Sequence, residues 1–440
     1  MKVNFAKKTV GGFNYEFTRG VSTQMVGAAE FGESMETMHR IKNGDFESWI
    51  HEWSATADHV KRFAQTALAA GDPNAARMAF LKASNYYRMA VFYANHTDPR
   101  HRALWEQSRA CFDSMIALAD TPHERAEIGF DGAKLPALFV SGGDGRRPTL
   151  IALGGFDSTL EEVYCWIGPA AIDYGWHCLI FEGPGQWGAL MNNPGLTFRG
   201  DYEKPTQAVV DYLLTRPDVD ADKIALIGYS AGGYFAPRAA SGEPRIRACV
   251  ANTLVVDCEV AAKAGMKGVT NATLIDVAFK LIMKLNTPAR WGFQHAQWTF
   301  GIDQPHEWPA AYTGFTLKGL EEHFTHPMLF LFGEDDIRDA AASTKTIVVG
   351  LLDFIATLPC DRSIHLFSQR DGASSHCQMG GLSYAHATIF AWLNHVLCGA
   401  PAPEIKNPAA KQQLINAFGT FGGKQAAHKA ASLLDTIHLV

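Results

Sequence analysis

The eight cysteines of this 440-residue chain are scattered, with no C-x-x-C pair among them. That spacing excludes a zinc ribbon, a dithiol redox site and a disulfide scaffold, and reads instead as free core thiols of a reducing compartment. Neither sign of charge dominates: 39 Lys and Arg stand against 45 Asp and Glu, a formal net charge of −6. There is thus no basic footprint for nucleic acid and no acidic disordered tail. Long hydrophobic runs are missing too. The Met-Lys-Val-Asn-Phe-Ala-Lys-Lys start has no apolar core, and the longest apolar stretch, near Thr346 to Leu358, is broken by Asp353. Neither a secretion signal nor a membrane span is expected, which points to a soluble, cytoplasmic protein. H-E-x-x-H, Walker A, EF-hand and paired-cysteine zinc motifs are all absent, so no metal or cofactor is expected.

What is present is concentrated at residues 223 to 233, where Lys-Ile-Ala-Leu-Ile runs into Gly228-Tyr229-Ser230-Ala231-Gly232-Gly233. Ile224, Leu226 and Ile227 read as a buried strand, and Phe235, Ala236, Arg238 and Ala239 suit the start of a packed helix. A G-x-S-x-G between strand and helix forces the serine into a strained turn that exposes its Oγ, and the glycines leave room for the neighbouring strand and helix.

Along the chain, residues 1–120 read as an N-terminal arm or short hairpin, Gly-rich to about 34 and assigned no chemistry, followed by antiparallel helices. Asp72-Pro73 supplies an N-cap and a first-turn proline, and Ala76, Phe80, Ala83, Tyr87, Ala90 and Ala94 then recur at helical spacing. Residues 121–256 open with a hairpin turning at Asp131-Gly132 and continue as short apolar runs alternating with helical pattern. The same alternation resumes over 323–399. Such a chain predicts an α/β fold, a mostly parallel sheet with helices on both faces. Between the two parts, 257–322 is an insertion with a mostly apolar helix from Leu274 to Leu285, polar at Asp276, Lys280 and Lys284. It is also rich in aromatics, including Trp291 and Trp298. These either line a lid over an apolar pocket or fasten the insertion to the core or a second subunit. Residues 400–440 read as a helical appendage placed to pack on a partner.

A serine hydroxyl needs an imidazole to accept its proton and a carboxylate to hold the imidazole, in the order Ser, acid, His on this fold. Leu329 to Phe332 runs into Gly333-Glu334-Asp335-Asp336, and Asp336, three residues past the glycine, is the expected acid in preference to Asp335. His376, in the loop after the last strand, is the expected base. The two amides that an oxyanion requires are expected from Ala231 and, in the loop Gly154-Gly155-Phe156-Asp157-Ser158-Thr159, from Phe156. Gly183-Pro184-Gly185-Gln186-Trp187-Gly188 spells G-x-G-x-x-G, but its continuation reads as loop, leaving no helix N-terminus for a pyrophosphate.

Several motifs together resemble one group of α/β hydrolases. They are Gly154-Gly155 with Ser158 to Glu162, Phe181-Glu182-Gly183-Pro184-Gly185-Gln186, Phe198 to Glu203, Arg216 to Asp220 and Gly228 to Arg238. The group is that of 2,6-dihydroxypseudooxynicotine hydrolase and the fungal polyketide-shortening pigment hydrolases, with the fermentation-respiration switch protein more distant. The likeness spans roughly residues 60 to 397, and Trp187 departs from it, standing where a small or acidic residue is usual. It implies an α/β-hydrolase fold with a helical N-terminal region, a site beneath a lid, frequent homodimers, and cleavage of esters or of carbon–carbon bonds in ketones. Carbon–carbon cleavage expels a carbanion and asks for an extra acid, for which Glu182 or Asp157 is the candidate. An acyltransferase, a cyclase or lyase, and a non-catalytic binding protein are the alternatives on the same fold.

Overall fold

The computed structural model describes residues 11–264, 269–403 and 408–440. Five helices come first: α1 (Gly11–Ser22), α2 (Phe31–Arg40), α3 (Phe46–Ala69), α4 (Pro73–Val91) and α5 (Pro99–Ile116). The Asp72 carboxylate caps α4 by accepting from the Ala75 N–H, as the Asp-Pro pair predicts. Residues 11 to 22, by contrast, are neither arm nor hairpin. They form an α-helix whose Phe13 and Phe17 are buried and whose glycines mark close packing: a Cβ on Gly20 would lie 2.3 Å from Met89 Sδ.

The hairpin of β1 (His123–Phe130) and β2 (Ala133–Val140) turns through Asp131 and Gly132 at φ 48° and 77°. There follow β3 (Arg147–Leu153), α6 (Leu160–Asp173), β4 (His177–Phe181), α7 (Trp187–Asn192), α8 (Glu203–Leu214), β5 (Val219–Tyr229), α9 (Gly232–Gly242) and β6 (Ala248–Asn252). The insertion carries α10 (Cys258–Ala264), α11 (Ala272–Leu285), α12 (Thr287–Phe300) and α13 (Trp308–Ala311). The core then resumes with β7 (Met328–Gly333), α14 (Glu334–Ser343), α15 (Lys345–Thr357), β8 (Arg362–Phe367) and α16 (Leu382–Cys398). Last come α17 (Pro408–Gly422), α18 (Lys424–Leu433) and β9 (His438–Leu439).

The sheet order is β1-β2-β4-β3-β5-β6-β7-β8-β9. Only the pairings made by β2 are antiparallel. Alternate residues feed two cores. Leu150, Ala152, Ala225 and Ile227 pack with α1, α3 to α6 and α16, while Ile151, Leu153, Ile224 and Leu226 pack with α8, α9, α14, α15, α17 and α18. The N-terminal helices therefore share a core with one sheet face. Residues 408–440, read as a helical appendage, pack on the core of their own chain. Leu414, Phe418 and Leu433 are buried against the chain's own sheet, and β9 pairs with β8. Because β3, β5, β7 and β8 are parallel, their C-terminal ends meet at one edge, where ligands bind in open α/β sheets.

Candidate active site

Ser230 follows β5 directly, with φ 60° and its N–H donating to the Asn252 carbonyl at 2.6 Å. The turn closes so tightly that a Cβ on Gly228 would come within 2.0 Å of the Gly232 oxygen. Ser230 Oγ lies 2.8 Å from His376 Nε2, and His376 Nδ1 lies 2.5 Å from Asp336 Oδ1. An ionised carboxylate only accepts, so Nδ1 carries the proton and Nε2 is left to accept from the serine hydroxyl. Asp336 Oδ2 accepts from Thr253 Oγ1 at 2.6 Å and from the Gly333 N–H at 3.3 Å. Burial alone would raise the Asp336 carboxyl, but the His376 charge and these hydrogen bonds hold it below the ordinary aspartate value. Burial likewise disfavours an imidazolium at His376, and the neighbouring Cys377 and Asp336 outweigh it and raise the histidine well above its ordinary value. Asp335 is turned away, paired with Arg338 and accepting from Ser374 Oγ at 3.1 Å. Its N–H donates to the Ser374 carbonyl at 3.0 Å, which ties the histidine loop to the end of β7.

The loop after β3 lies against the serine: a Cβ on Gly155 would sit 2.7 Å from Ser230 Cβ and 2.8 Å from the Ala231 nitrogen. The Gly155 N–H is taken by Ser158 Oγ at 3.0 Å. Among the described residues, neither the Phe156 N–H nor the Ala231 N–H donates to another protein group. Ser230, Ala231, Asp336 and His376 border a cavity of about 1140 Å³. Its walls are overwhelmingly apolar, drawn from residues 253–262, α11, α13, α14 and α15.

The family model for FrsA-like esterases matches residues 30–289, which is more than half of the chain and includes the serine turn. This chain belongs to that family. It is 37% identical to hydrolase acrC of Aspergillus aculeatus and 30% identical to 20-hydroxy-prefusarin hydrolase FUS2 of Gibberella moniliformis. In each case 87% of this chain and 96% of the relative are covered. Among solved structures, 2,6-dihydroxy-pseudo-oxynicotine hydrolase superposes with a TM-score of 0.67 at 21% identity, over 88% of this chain and 98% of the other. The chain is an α/β hydrolase of this esterase-like family, related to fungal hydrolases.

Within this FrsA-like hydrolase, the aromatic and acidic candidates sit elsewhere than under the lid. Trp291 stacks on Phe92 at 4.5 Å and donates its Nε1–H to the Phe92 carbonyl at 2.8 Å. Trp298 packs edge-on to His101 and Trp187. Trp187 stacks flat on His101 at 4.7 Å and donates to the Asp157 carbonyl at 2.9 Å. None of the three borders the cavity; they fasten the insertion and α7 to the N-terminal helices. Glu182 is buried, its two oxygens accepting from the Leu160 N–H at 3.1 Å and the Gly188 N–H at 3.0 Å. Burial, with Glu161 nearby, pushes it up to about 8. It braces two chain segments and does not face the cavity. The stretch after Gly183-Pro184-Gly185 also differs from the expected loop, since α7 begins at Trp187, and Glu182 occupies one of its first N–H groups.

Asp157 is held from behind. Arg19 of α1 reaches it at 3.2 Å, grips Glu162 through two hydrogen bonds of 2.6 and 2.7 Å, and contacts Glu16 at 3.3 Å. Burial raises the Asp157 carboxyl, but Arg19 and the nearby histidines bring it below the ordinary value. Tyr15, one turn earlier, donates to the His376 carbonyl at 3.3 Å. From α12, His295 donates its Nε2–H to the Phe156 carbonyl at 2.9 Å, and burial pushes this histidine down to about 4, so it is neutral. Sequence reasoning missed Tyr15, Arg19, Thr253 and His295. Phe13 and Phe17, four apart, were the signal that α1 is a helix; Thr253 and His295 carry no motif.

Proposed function

We propose that this chain is a serine hydrolase that opens an ester, or a carbon–carbon bond beside a ketone, in a sizeable apolar molecule by way of an acyl-enzyme. The observation that carries the reading is the unbroken run Asp336–His376–Ser230, with contacts of 2.5 and 2.8 Å, ending at an apolar cavity. Ser230 Oγ attacks the carbonyl carbon as His376 Nε2 takes its proton, and Asp336 holds the imidazole and steadies its charge. The negative oxygen that forms meets the unpartnered N–H groups of Ala231 and Phe156. His376 returns the proton to the leaving alkoxide or carbanion, and water, deprotonated by the same histidine, releases the acyl group as a carboxylic acid. Glu182 and Asp157 are engaged by protein groups, so in the ketone case His376 is the proton donor. The cavity favours an apolar substrate.

Labelling with a fluorophosphonate followed by peptide mapping tests this. Modification confined to Ser230, with activity lost by several orders of magnitude in Ser230→Ala, is expected. Turnover that survives Ser230→Ala overturns the reading. Hydrolysis in ¹⁸O-water places one heavy oxygen in the acid product; its absence would favour transfer to another nucleophile.

A further inference from the structure

We propose that Gln186 is the positioning residue that turns the Phe156 amide toward the reacting carbonyl oxygen. This rests on the serine-hydrolase reading above and extends it to how one half of the oxyanion site is held.

Gln186 is buried and both ends of its amide are committed. Its Oε1 accepts from the Gly183 N–H at 2.7 Å, which fixes the rotamer and leaves Nε2 facing the loop after β3. There Nε2 donates to the Gly154 carbonyl at 2.9 Å and, more weakly, to the Gly155 carbonyl at 3.3 Å. The Gly155 C=O and the Phe156 N–H belong to one planar trans peptide, so the two point in opposite directions. Drawing the carbonyl back toward Gln186 therefore turns the amide hydrogen the other way. The same loop runs so close to Ser230 that a Cβ on Gly155 would fall 2.7 Å from the serine Cβ. Gly155 spends its own N–H on Ser158, which leaves Phe156, the next residue, as the donor adjoining this close approach. A glycine at 155 permits either orientation of the peptide plane, so something outside the loop must choose. Gln186 makes that choice, and the turn Gly183-Pro184-Gly185 brings its side chain back onto Gly183 to do so. The stretch that spells a dinucleotide fingerprint thus has a use in the hydrolytic site.

Two variants test this. Gln186→Glu keeps an acceptor for the Gly183 N–H but sets a second oxygen against the Gly154 and Gly155 carbonyls. Gln186→Met keeps the length of the side chain and removes all three hydrogen bonds. With 4-nitrophenyl butyrate, each is expected to lower kcat about 10- to 100-fold, somewhat less than deletion of an oxyanion donor, with KM within about threefold. Labelling by a fluorophosphonate should slow by a similar factor, and the pH at which His376 titrates should not move, since the imidazole is untouched. A folded variant whose kcat stays within about threefold of the parent, or whose loss lies in KM, overturns the proposal. So does failure of both variants to fold, which would mark Gln186 as a strut of the core. If the parent protein is not labelled at Ser230, the serine reading itself falls and takes this inference with it; a labelled parent with unimpaired variants sinks this inference alone.

Discussion

On one side of Ser230, α1 and α12 meet the loop after β3, α6 and the end of α4: Arg19 on Asp157 and Glu162, His295 on the Phe156 carbonyl, Trp291 on Phe92. On the other side α11 borders the cavity without burying a single residue, and Leu281 and Leu285 are 60% and 86% exposed. Both helical layers are apolar in sequence, yet one is locked by buried directional contacts and the other rests on the rim by its polar stripe and by Phe279 against Phe293 and Trp308. Asp276 accepts from His306, and Lys280 donates to Gln304 at 3.0 Å. The wall beside the loop after β3 is fixed by buried polar partners, and the α11 wall of the cavity is not.

The comparison is broken most directly where the walls meet. Asp336→Asn should lower kcat on the order of 10⁴-fold, because the wrong imidazole tautomer results, while Asp335→Asn should change it little. Steady-state rates of the two variants decide, and the reverse ranking would unseat Asp336. On the fixed wall, Arg19→Met leaves Asp157 without its cation and buried Glu162 with Arg88 alone, and should destabilise the fold by about 3 kcal/mol, measured by denaturant unfolding. A loss below about 1 kcal/mol would mean the clamp is not what fixes that wall.

The junction is also where pH acts. His376 titrates above its ordinary value and must be neutral to accept a proton, so kcat/KM should rise with pH through a limb lying above about 6.5. Two units below that limb the rate should be down about a hundredfold; a limb near pH 5 would contradict the raised value. The smallest effects separate the walls by stability. Trp291→Ala should cost about 2 kcal/mol through the lost stack and hydrogen bond, and Leu281→Ala no more than about 0.5 kcal/mol. Equal losses from the two would erase the distinction.

What could be read from the sequence alone follows the range of the physics. The serine turn, the Asp131-Gly132 hairpin and the Asp72 cap are fixed by contacts within a few residues, and each has a local signature. Asp336 and His376 were legible as positions at the ends of strands, and the fold brings both to Ser230. Arg19 was not legible, since its partner Glu162 lies 143 residues away and ion pairing leaves no periodicity. The glycines of α1 also argued for a loop, when Gly20 is there to let α1 approach Met89. Trp291 and Trp298 were legible as apolar but not as to which surface they would cover, because a ring meets α4 or a cavity with the same chemistry. Gln186 stood in plain view inside a pattern borrowed from another fold.

The clamp also sets an order of events on the ribosome. Arg19 is made 143 residues before Glu162, an interval on the order of ten seconds at ordinary rates of synthesis. Through that interval its guanidinium has no carboxylate from α6 to meet, and a buried cation without a full set of partners is strongly disfavoured. Docking α1 with Arg19 fully paired therefore waits until β3 and α6 have emerged, so this helix settles after elements synthesised later than itself.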